Sequence, residues 1–218
     1  MPGGPGAGDT GSGGAGRWPP PPGGTWVLDL DGVVWLTDRA VPGSAGAVAA
    51  LRRAGVRVLF ATNNSSPTLA ELVERLGRLG VEAGPEDLVT SAQSAAGMLA
   101  PGSRALVVAD DGVVEALGGR GVEVVASGPA DAVVVGWTRR FDFDRLAAAA
   151  SAVRGGARLV GTNEDPTFPT PGGLLPGGGS LLAAVATASG AAPDVAGKPH
   201  APLAELIGRR AGNVGVYL

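Results

Sequence analysis

From residue 25 onwards, short apolar runs alternate with stretches in which Ala and Leu recur at helical spacing. The apolar runs are typical of buried strands, and the stretches between them are typical of helices. The predicted strands lie at residues 26–30, 56–61, 88–90, 105–108, 122–125, 132–136 and 158–161. The predicted helices lie at residues 44–54, 67–79, 91–100, 112–117, 143–154, 180–188 and 202–210. This alternation forms parallel βαβ units, so we predict an α/β protein with a doubly wound parallel sheet.

Breaks in this rhythm predict four segments. Residues 1–24 contain 16 Gly and Pro residues, too little packing material for a core, and we expect a disordered tail. The first α/β module covers residues 25–101, and a second module of residues 102–192, with a long Gly- and Pro-rich loop at 165–179, is inserted after it. Residues 193–218 return the chain to the first module.

Composition excludes several kinds of site and partner. The chain is 44% hydrophobic, which suits a globular core, and its net charge of −3 gives no reason to expect nucleic acid or an acidic membrane as a partner. The absence of Cys excludes thiol chemistry and Cys-ligated zinc, and a single His excludes His-rich metal sites. No run of about 18 apolar residues and no signal-peptide pattern is present, so we expect a cytoplasmic protein that stays out of the membrane.

Two carboxylates close the first predicted strand, in the sequence Asp29-Leu30-Asp31-Gly32-Val33. Ligands bind at the carboxyl end of a parallel sheet, where Asp29 can act as a nucleophile and Asp31 can reach the same substrate as an acid or base. An Asp-Gly turn that only ends the strand is the alternative interpretation.

The second strand ends in Thr62-Asn63-Asn64-Ser65-Ser66. Hydroxyl, amide and main-chain donors together suit a phosphate oxygen. The alternative is a helix cap ahead of Pro67, supplied by Ser65 or Ser66.

Lys198 stands out because every other one of the 17 basic residues is Arg. It lies in Gly197-Lys198-Pro199, on the loop that enters a predicted helix. A compositional preference for Arg would not spare one surface position, which favours a functional ammonium over a solvated surface charge.

These three motifs, in this order and at these separations, resemble those of the haloacid dehalogenase (HAD) superfamily. The resemblance is strongest to the class IIA, NagD-like phosphatases, which include p-nitrophenyl, phosphoglycolate and pyridoxal phosphatases. Two further runs, at residues 130–136 and 161–169, resemble segments of the α/β cap of that branch. The resemblance covers about residues 25–210 and implies a HAD core with an inserted α/β cap.

The resemblance also implies the roles of the site residues. Asp29 would form an aspartyl-phosphate, and Asp31 would protonate the leaving alcohol and then activate water. Thr62 and Asn63 would hold the transferring phosphoryl oxygens, and Lys198 would neutralise their charge and that of Asp29.

For cofactor and partners, the resemblance implies Mg²⁺ bound by Asp29 and the main-chain carbonyl of Asp31, and a small phosphorylated metabolite as substrate. Asn163, Glu164 and Asp165 match the loop of the cap that faces substrate, although a polar turn explains them equally well. A homodimer through the cap is compatible with the branch. His200 and the Asp110-Asp111 pair receive no catalytic role and are interpreted as parts of helix starts.

One family motif has no counterpart in the sequence. The HAD core carries Gly-Asp-x-x-x-Thr-Asp after a further strand, and no Asp follows Asp194 here. We therefore expect a core that is incomplete at the C-terminus and a metal site with few protein ligands. The alternative function is an inactive or impaired remnant that retains phosphate binding or self-association. A nucleotide-binding Rossmann module is disfavoured, because no Gly-x-Gly-x-x-Gly follows a predicted strand.

Overall fold

The computed structural model of the chain describes residues 24–170 and 172–212, together with the backbone of residues 214–217. Its strands are β1 (Thr25–Asp29), β2 (Trp35–Leu36), β3 (Arg39–Ala40), β4 (Arg57–Thr62), β5 (Leu88–Thr90), β6 (Arg104–Val108), β7 (Glu123–Val125), β8 (Ala132–Val135), β9 (Arg158–Gly161), β10 (Thr167–Thr170), β11 (Gly173–Pro176), β12 (Asp194–Val195) and β13 (Val214–Tyr217). Its helices are α1 (Ser44–Arg53), α2 (Leu69–Arg78), α3 (Ser91–Gly97), α4 (Asp111–Arg120), α5 (Phe143–Arg154), α6 (Gly178–Ser189) and α7 (Ala201–Ala211), with a 3₁₀ turn at Pro85–Asp87. The predicted tail lies outside the described residues except for Gly24 and stays a prediction.

Two parallel sheets organise the described residues. The first has the strand order β13-β1-β4-β5 and the second β12-β9-β8-β6-β7, and every neighbouring pair in both is parallel. The predicted α/β class with parallel βαβ units is therefore confirmed. Two antiparallel hairpins, β2–β3 and β10–β11, lie outside these sheets.

Both faces of the first sheet are covered by helices, which explains its continuous apolar strands. Successive side chains of a strand point to opposite faces, so Leu28 packs with α1 and α2 while Val27 packs with α7. In β4, Phe60 packs on the same face as Leu28, and Leu59 packs on the same face as Val27. The carboxyl ends of β1 and β4 consequently lie side by side, because Asp29 pairs with Ala61 in the register.

The second sheet is also buried on both faces. Helices α3 and α4 cover one face, and α5 and α6 cover the other. Helix α3 follows a strand of the first sheet yet packs on the second, which brings the two sheets together. Asp194 and Val195 form β12, the edge strand of the second sheet. The second sheet therefore includes residues beyond 192, where we expected the inserted module to end.

The structure corrects the prediction that residues 165–179 are a loop. They form the hairpin β10–β11 and the start of α6, which begins at Gly178 rather than at residue 180. The hairpin is held from outside its own sequence, because the indole of Trp137 donates to the carbonyl of Pro176 and packs edge-on against Phe168 with ring centroids 5.4 Å apart. Such long-range support leaves no signal in the periodicity of the hairpin itself.

Helix starts differ from prediction for a local reason. The N-cap of α2 is Thr68, which forms a capping box with Glu71, so neither Ser65 nor Ser66 caps that helix and Pro67 precedes it. Helix α3 is capped in the same way, by Thr90 with Gln93. The hydroxyls of Ser65 and Ser66 are used elsewhere, in contacts with the second sheet and its helices.

Candidate active site

Asp29 lies at the carboxyl end of β1, in the middle of the first sheet. One carboxylate oxygen, Oδ1, accepts the main-chain N–H of Leu30 at 2.8 Å. The other, Oδ2, lies 2.7 Å from the ammonium Nζ of Lys198, and the two side chains remain 30% and 24% exposed. The predicted nucleophile and the predicted lysine are thus in direct contact at a position that solvent and a small ligand can reach.

Asp31 lies in the turn that follows β1 and is exposed. Its Oδ1 accepts a hydrogen bond of 2.8 Å from the indole nitrogen of buried Trp35. Gly32, with φ of 85°, occupies the left-handed region that glycine adopts without strain, and its N–H donates to the carbonyl of Trp35. Trp35, which the sequence analysis did not single out, therefore holds the predicted acid–base residue in place.

Thr62 ends β4 beside Asp29 and is 1% exposed. Its Oγ1 accepts the N–H of Asn64 at 3.0 Å, while the Asn64 side chain accepts the N–H of Ser66. These two contacts wind the loop into a tight turn. In these contacts Thr62 Oγ1 acts only as an acceptor, and its predicted role of holding a phosphoryl oxygen stays a prediction.

Asn63 points its carboxamide at the main chain of Lys198. Oδ1 accepts the N–H of Lys198 at 2.8 Å, and Nδ2 donates to its carbonyl at 3.1 Å. The same Nδ2 lies 3.1 Å from Oδ2 of Asp165. The side chain of Asn63 is thus committed to protein partners rather than directed to an empty position beside Asp29.

The loop at 163–165, which follows a strand of the second sheet, contacts Asn63. Asn163 is buried, and its Nδ2 donates to the carbonyl of Asn63 at 2.8 Å while its Oδ1 accepts the N–H of Asp165. Glu164 is exposed, and its Oε1 lies 2.9 Å from Nε2 of His200. Of the three predicted substrate residues, Glu164 and Asp165 have exposed carboxylates, whereas Asn163 joins two loops.

A second set of contacts ties the loop after β4 to the second sheet. The hydroxyls of Ser65 and Thr162 are 2.9 Å apart and buried, and the hydroxyl of Ser66 donates to Asp110 at 2.7 Å. Arg140 forms an ion pair with Asp110. Burial raises the pKa of the Asp110 carboxyl, but hydrogen bonds to its two hydroxyl neighbours and to Arg140 outweigh burial and leave that pKa below its usual value.

Comparison with known proteins shows which family has this fold and these motifs. The family model of haloacid dehalogenase-like hydrolases matches residues 26–123. An acid sugar phosphatase of Staphylococcus aureus (strain USA300) is 32% identical over 178 residues, which cover 80% of this chain and 69% of that protein. This chain is a haloacid dehalogenase-like hydrolase. The resemblance inferred from the three motifs is confirmed, and the relatives are phosphatases of the kind that the NagD-like branch contains.

Two further comparisons concern a mycobacterial relative of this hydrolase. A D-glycerol 3-phosphate phosphatase of Mycobacterium tuberculosis is 46% identical over 180 residues, and the chain spans about half of its length. A crystal structure of a glycerol phosphate phosphatase from the same organism, in complex with magnesium, superposes with a TM-score of 0.81 at 40% identity and covers 88% of this chain and 59% of the other. The chain therefore shares its fold with a phosphatase that has been crystallised with magnesium.

The hydrolase offers oxygen ligands to a metal ion, and they are few. Within the residues that the structure describes, no group of three or more His, Cys, Asp and Glu side chains could hold a metal ion. The Asp29 carboxylate and the Asp31 carbonyl nevertheless suit a hard cation, because Mg²⁺ commonly binds through one or two carboxylates, substrate phosphate oxygens and water. The donor types therefore suit Mg²⁺, and the role of these two residues as its ligands stays a prediction.

None of the helices in the described ranges is long and apolar enough to span a lipid bilayer.

Proposed function

We propose that this hydrolase cleaves small phosphate monoesters through a phosphoryl group transferred to Asp29. The observation that carries the proposal is the 2.7 Å contact between Asp29 and Lys198 at the carboxyl end of β1, beside the hydroxyl of Thr62. A carboxylate and a phosphate dianion repel each other, and a cation between them offsets that repulsion in the transition state. The contact supports a nucleophilic rather than a purely structural role for Asp29.

In the first step, a carboxylate oxygen of Asp29 attacks phosphorus and the bond to the alcohol oxygen breaks. Asp31, in its protonated form, gives its proton to that oxygen, so a neutral alcohol leaves. Lys198 and the hydroxyl of Thr62 bind the transferring phosphoryl oxygens. The hydrogen bond from the indole of Trp35 restricts the position of the Asp31 carboxylate.

In the second step, water attacks the phosphorus of the aspartyl-phosphate. Asp31, now ionised, accepts a proton from that water, the bond to Asp29 breaks, and inorganic phosphate leaves. Both residues return to their starting protonation states.

We propose Mg²⁺ as the cofactor, held by the Asp29 carboxylate and the Asp31 carbonyl. When bound, it would supply Lewis-acid polarisation of the phosphoryl oxygens. The magnesium complex of the mycobacterial relative supports this assignment.

For substrate, we propose a phosphate ester of a small polyhydroxy alcohol, with glycerol 3-phosphate as the first compound to test. The name of the mycobacterial relative motivates that choice. The exposed carboxylates of Glu164 and Asp165 can accept hydrogen bonds from alcohol hydroxyls, whereas Asn163 has no such freedom. A cytoplasmic location and a homodimer through the second module remain predictions.

A second candidate function is phosphate binding without turnover. The scarcity of acidic metal ligands in the described residues favours it. In that case inorganic phosphate would bind at Lys198 and Thr62, and no ester would be cleaved.

Hydrolysis of p-nitrophenyl phosphate and of glycerol 3-phosphate, with Mg²⁺ or with EDTA, tests the proposal. We expect Mg²⁺-dependent release of phosphate that Asp29→Asn abolishes and that Asp144→Asn, a control on the exposed first turn of α5, leaves unchanged. Phosphate binding measured by calorimetry, with no turnover in the wild-type protein, would instead support the second candidate.

A further inference from the structure

The amide of Asn63 has no hydrogen left for a phosphoryl oxygen. A carboxamide has two N–H donors and one carbonyl acceptor. The two donors meet the carbonyl of Lys198 and the carboxylate of Asp165, and the acceptor meets the N–H of Lys198. The orientation of the amide is fixed as well, since the main-chain N–H of Lys198 requires an acceptor opposite it.

Asn63 pairs with both polar main-chain groups of one residue that lies 135 positions further along the chain. Its own main chain is held in turn, because its carbonyl accepts hydrogen bonds from Ser91 at 2.7 Å and from Asn163 at 2.8 Å. An anchored residue of this kind can determine where its partner lies, whereas a loosely held side chain would follow its partner.

Gly197 shows how closely the lysine loop is pressed against this anchor. A Cβ added at Gly197 would lie 2.7 Å from Oδ1 of Asn63 and 2.5 Å from the carbonyl oxygen of Thr162. Both distances are shorter than any that a real Cβ makes. The main chain on the N-terminal side of Lys198 is therefore seated directly on Asn63.

We propose that Asn63 is a positioning residue that sets the ammonium of Lys198 against Asp29, and that its side chain does not hold the phosphoryl group. The lysine side chain is long and flexible, so the place of its Nζ depends on where its main chain is fixed. In catalysis a misplacement of about 1 Å costs on the order of 100-fold. The catalytic consequence rests on the proposed function, whereas the positioning itself does not.

The sequence provides a direct probe, because Lys198 is its single lysine. Protein labelled with [¹⁵N]lysine gives one main-chain amide signal, that of Lys198. In Asn63→Ala, and equally in Asn63→Ser if the alanine variant does not fold, we expect hydrogen exchange at this amide to accelerate by about tenfold or more, because its acceptor is removed.

The control is Ser94→Ala, which removes a buried hydrogen bond to the carbonyl of Ala196 in the same loop and leaves both main-chain bonds of Lys198 intact. We expect exchange at the Lys198 amide to stay close to the wild-type rate in this variant. An unchanged exchange rate in the folded Asn63 variants would overturn the proposal, whether or not the protein has phosphatase activity.

Kinetics test the catalytic consequence. With p-nitrophenyl phosphate, Asn63→Ala should lower kcat by about 10- to 100-fold with little change in KM, as the loss of two hydrogen bonds implies. In a Lys198→Met background the same substitution should change kcat less than about threefold. If Asn63 acts only through Lys198, its effect on kcat disappears once the ammonium has been removed. A raised KM that persists in that background would show that Asn63 binds phosphate directly and would contradict the proposal.

A wild-type protein without turnover would refute the proposed function, and the exchange experiment would then decide the positioning role alone.

Discussion

Replacing Lys198 by Met removes one charge and keeps an unbranched side chain that is one atom shorter. The Nζ of Lys198 lies 2.7 Å from Oδ2 of Asp29, and at that separation two unit charges attract by about 1.5 kcal/mol in water and about 6 kcal/mol at an effective dielectric constant of about 20. Both side chains are partly exposed, so the true value lies between these limits. Because about 1.4 kcal/mol corresponds to tenfold in rate, we expect kcat to fall about 100- to 1,000-fold, which is also the usual cost of losing one transition-state donor.

The assay is steady-state release of p-nitrophenol from p-nitrophenyl phosphate with saturating Mg²⁺. Arg209→Met is the matched control, since it also removes one positive charge, from an exposed side chain on α7 that pairs only weakly with Glu205 at 3.8 Å. We expect the control to retain its kcat. If folded Lys198→Met keeps kcat within about threefold of the wild type, the ammonium does not stabilise the transition state and the argument from its contact with Asp29 fails.

Three further predictions concern residues around the site. Trp35→Phe should lower kcat about tenfold, because Asp31 loses the indole N–H that fixes it, and should also lower the unfolding temperature, because the smaller ring leaves a cavity in the core. Gly197→Ala should destabilise the fold by about 1–3 kcal/mol in urea unfolding and lower kcat with it, because the new methyl group would displace the loop of Lys198. Asp110→Asn should lower the unfolding temperature at neutral pH. The folded-state pKa of Asp110 is lowered, so its stabilisation is present above the unfolded value of 3.8 and is lost as the pH falls through the folded-state pKa. The difference from wild type should therefore shrink as the pH is lowered below 3.8.

Much of the fold follows from patterns that are local in sequence. Helix α5 and strand β9 have the boundaries that periodicity predicts, because Asp142 caps the helix and glycines follow it before the next apolar run. The hairpin β10–β11 was missed because its support comes from Trp137, about 30 residues earlier. The extra residues at the start of α6 were missed for a similar reason. Gly178 and Gly179 look like loop residues, yet a Cβ at Gly179 would lie 2.2 Å from the carbonyl oxygen of Glu164 in the neighbouring loop.

The candidate site also has features that the sequence predicts and features that it does not. Residue types and motif order were sufficient to predict that Asp29 and Lys198 would meet, since both lie at the carboxyl ends of core strands or on the loop that faces them. They were not sufficient to show what Asn63 does. The sequence does not decide whether its side chain faces a phosphate or the lysine loop, because the answer depends on the path of a segment 135 residues away. Trp35 was missed because a buried tryptophan on a short strand is indistinguishable, in sequence, from a core residue.

The contacts that fix the main chain of Lys198 are also contacts between the two sheets. Asn163 and Thr162 follow β9 of the second sheet, and they bond to the loop after β4 of the first through Asn63 and Ser65. The lysine loop enters directly after β12, which is itself the edge strand of the second sheet. Any displacement of the second sheet relative to the first must therefore move the main chain of Lys198 or break its bonds to Asn63. The association of the two sheets and the 2.7 Å contact at Asp29 are consequently one structural property, and a substitution that loosens the first should reduce phosphoryl transfer even where it touches no site residue.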